Sequence, residues 1–214
     1  MKKSMWLYNF LTFILKWISK LLFRTKTTGL ENENVDGPVV YAINHMSNWD
    51  PVIVACETRK TINFMAKKEL FSVPVLKTIL KWLGAFPIDR TGNDLVTLKM
   101  TINALKDGAR ICLFPQGTRC PDVEPSTTEV KGGTALLVKH TKATVVPIGI
   151  YTKDYRIKVF KKVYVSIGKP MAYDELGFTG AREDYDRITK EIFDEICKLC
   201  DKAKEDANAK RKQS

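Results

Sequence analysis

The sequence predicts an α/β fold, a single-domain sheet flanked by helices, and three observations support it. Short apolar runs alternate with amphipathic stretches from Val39 to Ile167. The runs are bounded by glycine, proline or polar clusters, and no linker divides residues 37–200. With 214 residues, 44% hydrophobic and 10% aromatic, the chain is long and apolar enough to bury one substantial core.

The first element, Met1 to Arg24, reads as an amphipathic helix. Its longest uncharged run, Ser4 to Leu15, makes roughly 18 Å of helix against about 30 Å of bilayer hydrocarbon, too short to span. No small-residue cleavage site follows Leu21-Leu22-Phe23, which argues against a removed leader. On a helical wheel Asn9, Thr12, Lys16, Ser19 and Lys20 share one face. Trp6, Leu7, Phe10, Phe13, Ile14, Trp17 and Leu21 lie mainly elsewhere. Lys2, Lys3, Lys16, Lys20, Arg24 and Lys26 carry six of the formal net charge of +11, with no acid among them. Charge concentrated where the chain is most apolar predicts an N-terminal amphipathic membrane-interface helix on an anionic surface, in residues 1–28. The competing reading packs that apolar face on the core. Nucleic acid is the other partner a basic chain fits, and no helix-turn-helix, zinc-finger or RRM motif supports it.

Residues 29–200 hold the alternation. Val39–Ile43, Ile62–Ala66, Phe86–Ile88, Arg110–Phe114, Thr144–Ile150 and Val159–Ile167 read as strands. Val73–Leu83, with Pro74 near its start and Gly84 after it, reads as a helix. So does Asn93–Asp107, which puts Leu95, Leu98, Ile102 and Leu105 on one face and stops at Gly108. Gly132–Thr141 is another. A long final helix from about Arg182 buries Ile188, Ile192, Ile196 and Leu199, and a charged tail, 201–214, is expected to fray. Five cysteines, an odd number without a framework of spacings, fit a reducing compartment. Cys197 and Cys200 form a CxxC with no second pair, so no metal is expected there.

Chemistry concentrates in Asn44-His45-Met46-Ser47-Asn48-Trp49-Asp50-Pro51, between a predicted strand and a predicted helix. A turn there folds the Asp50 carboxylate onto one nitrogen of His45 and leaves the other facing out. Such a pair is a general base: the carboxylate fixes the tautomer and stabilises the imidazolium, and the imidazole takes a proton from a hydroxyl. Downstream come Gly84-Ala85-Phe86-Pro87-Ile88-Asp89-Arg90, then Phe114-Pro115-Gln116-Gly117-Thr118-Arg119, then Val145-Val146-Pro147-Ile148.

These four blocks, in this order, resemble the motifs of the glycerolipid acyltransferase family, most closely its 1-acylglycerol-3-phosphate acyltransferases, over residues 37–170. The resemblance implies that His45 is the base and Asp50 its partner. It further implies transfer of an acyl group from a thioester to the free hydroxyl of a lysophosphatidate, giving phosphatidic acid. The thioester carrier, coenzyme A or acyl carrier protein, is a co-substrate, and no cofactor is implied. Arg90 and Arg119 match the family's phosphate-binding arginines, and a guanidinium fork suits a phosphate. Lys131, ahead of Gly132-Gly133 at a predicted helix start, is a third candidate cation. Gln116, Gly117 and Thr118 fall in the acceptor-binding motif, where Gln116 replaces the family's usual glutamate. Glycerol 3-phosphate or another lysophospholipid is the alternative acceptor, and a non-catalytic domain binding anionic lipid is the remote one. The apolar residues between Phe64 and Trp82 either line an acyl channel or belong to the core. The resulting location is the cytosolic face of the cell membrane, peripheral or monotopic.

Overall fold

The computed structural model describes residues 5–82, 84–88 and 94–211. Seven strands form one sheet: β1 (Lys26–Thr28), β2 (Val39–Ile43), β3 (Asn63–Lys67), β4 (Phe86–Ile88), β5 (Arg110–Leu113), β6 (Thr144–Thr152) and β7 (Val163–Ile167). Among the described residues six α-helices accompany them: α1 (Met5–Phe23), α2 (Asp50–Glu57), α3 (Pro74–Trp82), α4 (Asp94–Lys106), α5 (Gly133–Thr141) and α6 (Asp184–Arg211). The strand order is β1-β7-β6-β2-β5-β3-β4. All neighbours run parallel except β6 and β7.

Central strands β2 and β6 are buried on both faces, which is why they read as unbroken apolar runs rather than as alternation. Val39, Tyr41 and Ile43 of β2 face one core, shared with Ile53 and Val54 of α2. Val40 and Ala42 face the other, shared with Ala135 and Val138 of α5 and Ile188, Ile192 and Ile196 of α6. Helix α6 lies close on β6. A β-carbon at Gly149 would stand 2.8 Å from Leu199 Cβ and 3.0 Å from the Cys200 nitrogen.

The chains leaving the adjacent strands β2 and β5 go to opposite faces of the sheet, through α2 and α5 respectively. Such divergence opens a crevice at the carboxyl ends of the two strands, the general place for a ligand in an open α/β sheet.

Several boundaries differ from the sequence reading. Residues 159–162 are not strand: β7 begins at Val163, because Phe160 sits at φ 64 and breaks the extended run. Residues 26–28, read with the N-terminal segment, form β1, an edge strand paired with β7. Thr25 and Thr27 hydroxyls donate to the buried Glu57 carboxylate at 2.7 and 2.5 Å, fastening this segment to α2. The tail does not fray at 201. Helix α6 runs on to Arg211 because Ala203 continues its buried face and Lys204 donates to Glu124 (2.8 Å) and Tyr155 (3.2 Å). On α4 only Leu105 is fully buried among the expected face; Leu98 and Ile102 are half-buried and Leu95 is exposed.

Helix α1 packs on α2, and its orientation is opposite to that of an ordinary surface helix. Ser19 and Phe23 are buried and Lys16 is half-buried, whereas Phe10, Phe13, Ile14, Trp17, Ile18 and Leu21 are exposed. Among the described side chains, the apolar stripe therefore does not pack on the core.

Candidate active site

Strand β2 delivers Asn44 and His45 to the crevice. Asn44 is buried and exchanges two hydrogen bonds with Ile150 of β6, donating to its carbonyl (2.9 Å) and accepting from its N–H (2.8 Å). This side-chain clamp takes the place of strand pairing just where β2 ends. His45 Nδ1 then lies 2.7 Å from Asp50 Oδ2.

Asp50 is fully buried in the first turn of α2, where the helix dipole favours an anion. Its Oδ2 also accepts the N–H groups of Met46 (2.7 Å) and Ser47 (2.8 Å), so three donors converge on one oxygen. Burial pushes the Asp50 carboxyl above the usual carboxylate range, and the hydrogen bonds from His45, Ser47 and Met46 oppose that rise. With Oδ2 accepting from Nδ1–H, the imidazole presents Nε2 as the basic nitrogen.

The loop after β5 holds His45 on three sides. Phe114 stacks on the imidazole with centroids 3.9 Å apart and planes at 19°. The His45 N–H donates to Gln116 Oε1 at 2.6 Å, and the His45 carbonyl accepts the Cys120 N–H at 2.8 Å. Gln116 is buried, and its Nε2 donates to Thr128 Oγ1 at 2.8 Å, whose own hydroxyl donates to the Pro125 carbonyl at 2.7 Å. Both ends of the amide are thus engaged inside the protein. Gln116, expected in the acceptor-binding motif, lines a cavity that holds Thr118, Arg119 and Lys131 and at the same time accepts the His45 N–H. An amide supplies what the two partners need, an acceptor toward a backbone N–H and a donor toward a hydroxyl already committed as donor.

Two cavities border this arrangement. One, of about 470 Å³, is lined by His45 and by residues of α4, β5 and α5, largely apolar groups such as Leu98, Leu113, Leu136 and Leu137. Of the residues between Phe64 and Trp82 only Met65 lines it, among those described. The second, about 490 Å³, is lined by Gln116, Thr118, Arg119 and Lys131, with Glu129 as its one acidic side chain among those described. Lys131 borders both. Gly117, at φ 67, makes that possible: a β-carbon there would stand 3.1 Å from Lys131 Cδ. The structure brings Arg119 and Lys131 to one cavity, while Arg90 lies outside the described residues.

Sequence reasoning missed Asn44 as a clamp and Thr128 as the support of Gln116. A polar Asn directly after five apolar strand residues is the one sign of the former; nothing local marks the latter. Cys197 and Cys200 belong to the core, and burial pushes the Cys197 thiol up to about 11 and that of Cys200 higher still.

The chain was compared with known proteins. Residues 24–151 match the family model described as Acyltransferase. The 1-acyl-sn-glycerol-3-phosphate acyltransferase of Bacillus subtilis is 30% identical over 197 residues, covering 90% of this chain and 96% of the relative. That of Streptococcus pneumoniae is 31% identical over 183 residues, covering 83% of this chain and 66% of the relative. In fold, the chain is similar to the crystal structure of the 1-acyl-sn-glycerophosphate acyltransferase PlsC from Thermotoga maritima. That match has a TM-score of 0.68 and 22% identity, and it covers 91% of this chain and 82% of the other.

Proposed function

The chain belongs to the acyltransferase family, and we propose that it transfers an acyl group from a thioester to the free hydroxyl of a 1-acylglycerol 3-phosphate, yielding phosphatidic acid. The observation that carries this reading is the His45–Asp50 pair, with His45 lining an apolar cavity and its partner Gln116 lining a second that holds Arg119 and Lys131.

In the proposed reaction His45 Nε2 removes the proton of the acceptor hydroxyl as its oxygen attacks the thioester carbonyl. The tetrahedral adduct collapses by breaking the carbon–sulfur bond, and the imidazolium returns the proton to the departing thiolate. No acyl-enzyme forms, because the acceptor oxygen is itself the nucleophile. Asp50 stabilises the imidazolium between the two steps. The reacting carbonyl has to lie at the imidazole and the acyl chain continues from it, so the chain enters the apolar cavity. Arg119 and Lys131 take the acceptor phosphate through charge-assisted hydrogen bonds.

The outward apolar stripe of α1, with Lys20 and Arg24 exposed beside it, supports an anchor lying in the plane of an anionic cytosolic leaflet. No helix of the described residues is long and apolar enough to cross a membrane.

The test is a panel assay of the purified protein. Lysophosphatidate, glycerol 3-phosphate and lysophospholipids with larger headgroups are each paired with acyl-coenzyme A and acyl carrier protein thioesters. Phosphatidic acid from lysophosphatidate, reduced about 10²–10⁴-fold in His45→Ala, is the expected result. Turnover confined to another acceptor overturns the substrate assignment, and near-normal turnover in His45→Ala overturns the mechanism.

A further inference from the structure

Between Ile157, packed against the core, and Val163, fully buried in β7, the chain makes a turn that the acyl transfer does not use. The Lys161 N–H donates to the Lys158 carbonyl at 3.2 Å, closing a turn with Val159 and Phe160 at its tip. Phe160 is left-handed, at φ 64. That position ordinarily takes glycine or asparagine, and a bulky aromatic there costs free energy. The tip is nonetheless apolar and outward: Val159 is 48% and Phe160 66% exposed. Lys158, Lys161 and Lys162, all exposed, surround it.

The turn is not an isolated feature of the surface. The Phe160 N–H donates to the Leu22 carbonyl at 2.5 Å, which satisfies an otherwise open carbonyl at the end of α1 and seats the turn there. The exposed stripe of α1 ends in Leu21, which is 72% exposed. Two segments far apart in sequence thus place large apolar side chains and lysines side by side at one corner of the molecule.

We infer that the turn 158–162 is a second membrane-contact element, which inserts Phe160 and Val159 into the anionic leaflet on which α1 lies and sets Lys161 and Lys162 among the headgroups. The inference rests on the membrane reading of α1 given above. Charge and shape together select this occupant. An apolar tip ringed by lysines matches a headgroup boundary, where the ring reaches acyl chains and the ammonium groups stay at the phosphates. A second copy of the chain carries the same net charge of +11, which opposes its approach to those lysines. The hydrogen bond to Leu22 makes the contact rigid, so the depth of α1 and its tilt along its axis are fixed together rather than left to a single helix free to roll.

The experiment is flotation of the full chain with vesicles of mixed phosphatidylglycerol and phosphatidylcholine. Phe160→Asn is the principal variant, since asparagine accepts the left-handed conformation and keeps the N–H to Leu22. It should lower partitioning about five- to thirtyfold, the share of one phenyl ring withdrawn from the interface, with a melting midpoint no lower than that of the wild type, because the left-handed strain is relieved. The Lys161→Gln, Lys162→Gln double variant leaves the turn intact. It should lower partitioning about tenfold or more at low salt, and have no effect on vesicles of phosphatidylcholine alone.

Leu21→Asn is the control for α1. If it weakens binding while both turn variants match the wild type, the turn proposal is overturned and the membrane reading of α1 stands. If the wild type does not bind these vesicles, both fall. Should sedimentation show a dimer that Phe160→Asn dissociates, with vesicle binding unaltered, the patch serves a second copy of the chain and the inference is wrong.

Discussion

Replacing Asp50 by asparagine separates two things a carboxylate does for a histidine. Because the Met46 and Ser47 N–H groups both point at Oδ2, the asparagine oxygen has to occupy that place; the reverse orientation would set an NH₂ against two donors. The imidazole therefore keeps its proton on Nδ1 and its lone pair on Nε2. What is lost is the charge that faces the imidazolium. Opposite unit charges about 4 Å apart at an effective dielectric of about 20 attract by about 4 kcal/mol, and the neutral hydrogen bond that remains retains roughly 1 kcal/mol. The difference, about 3 kcal/mol, corresponds to about a hundredfold in kcat/KM. Steady-state kinetics of Asp50→Asn, His45→Ala and the double variant provide the assay. The double variant should match His45→Ala within about twofold, because the carboxylate acts only through the imidazole. Independent, multiplying losses in the double variant would refute that coupling. A stable Asp50→Asn protein as slow as His45→Ala would refute the tautomer argument.

Gln116→Ala should lower kcat about ten- to a hundredfold by loosening His45, with little change in acceptor KM; a rise confined to acceptor KM would return Gln116 to the substrate side. Thr128→Val leaves the buried Gln116 amide without its acceptor and should cost about 1–3 kcal/mol in denaturant unfolding, an unaltered midpoint counting against the network. Leu98→Trp, inside the cavity that His45 lines, should shift the preference toward shorter acyl thioesters, and an unchanged chain-length profile would place the chain elsewhere. Arg187, with the N–H groups of Thr179 and Gly180, holds the Asp184 carboxyl down to about 2. Its linked stabilisation is complete above the unfolded value near 4 and is lost as pH falls toward 2. Melting curves over that interval should therefore fall more steeply for the wild type than for Asp184→Asn, and parallel curves would contradict this.

The central strands were readable because burial on both faces leaves uninterrupted apolar residues, as in Val39–Ile43. Strand β1 was not, since Lys-Thr-Thr has no apolar pattern and becomes a strand only through the edge of β7. Residues 159–162 were misread because Val-Phe-Lys-Lys runs into Val163 without a glycine or asparagine to mark the left-handed residue. In the tail, high charge concealed the spacing of Cys200, Ala203 and Ala207, which continues the inward face of α6. The proximity of His45 and Asp50 was legible from six residues of local sequence. Gln116 was visible only as a departure from a pattern, because its partners lie 71 residues upstream and 12 downstream.

That difference in sequence range carries over to folding kinetics. The turn joining His45 to Asp50 closes a short loop and can form as soon as α2 does. The hold on His45 by Gln116 and Cys120 requires β2 and β5 to have paired across some seventy intervening residues, and such long-range pairing is slow. The acid–base pair is thus local in sequence, whereas the aim of its imidazole depends on closure of the sheet. Recovery of turnover after denaturation should lag the return of helical signal, and the length of that lag measures how long the parallel sheet takes to close.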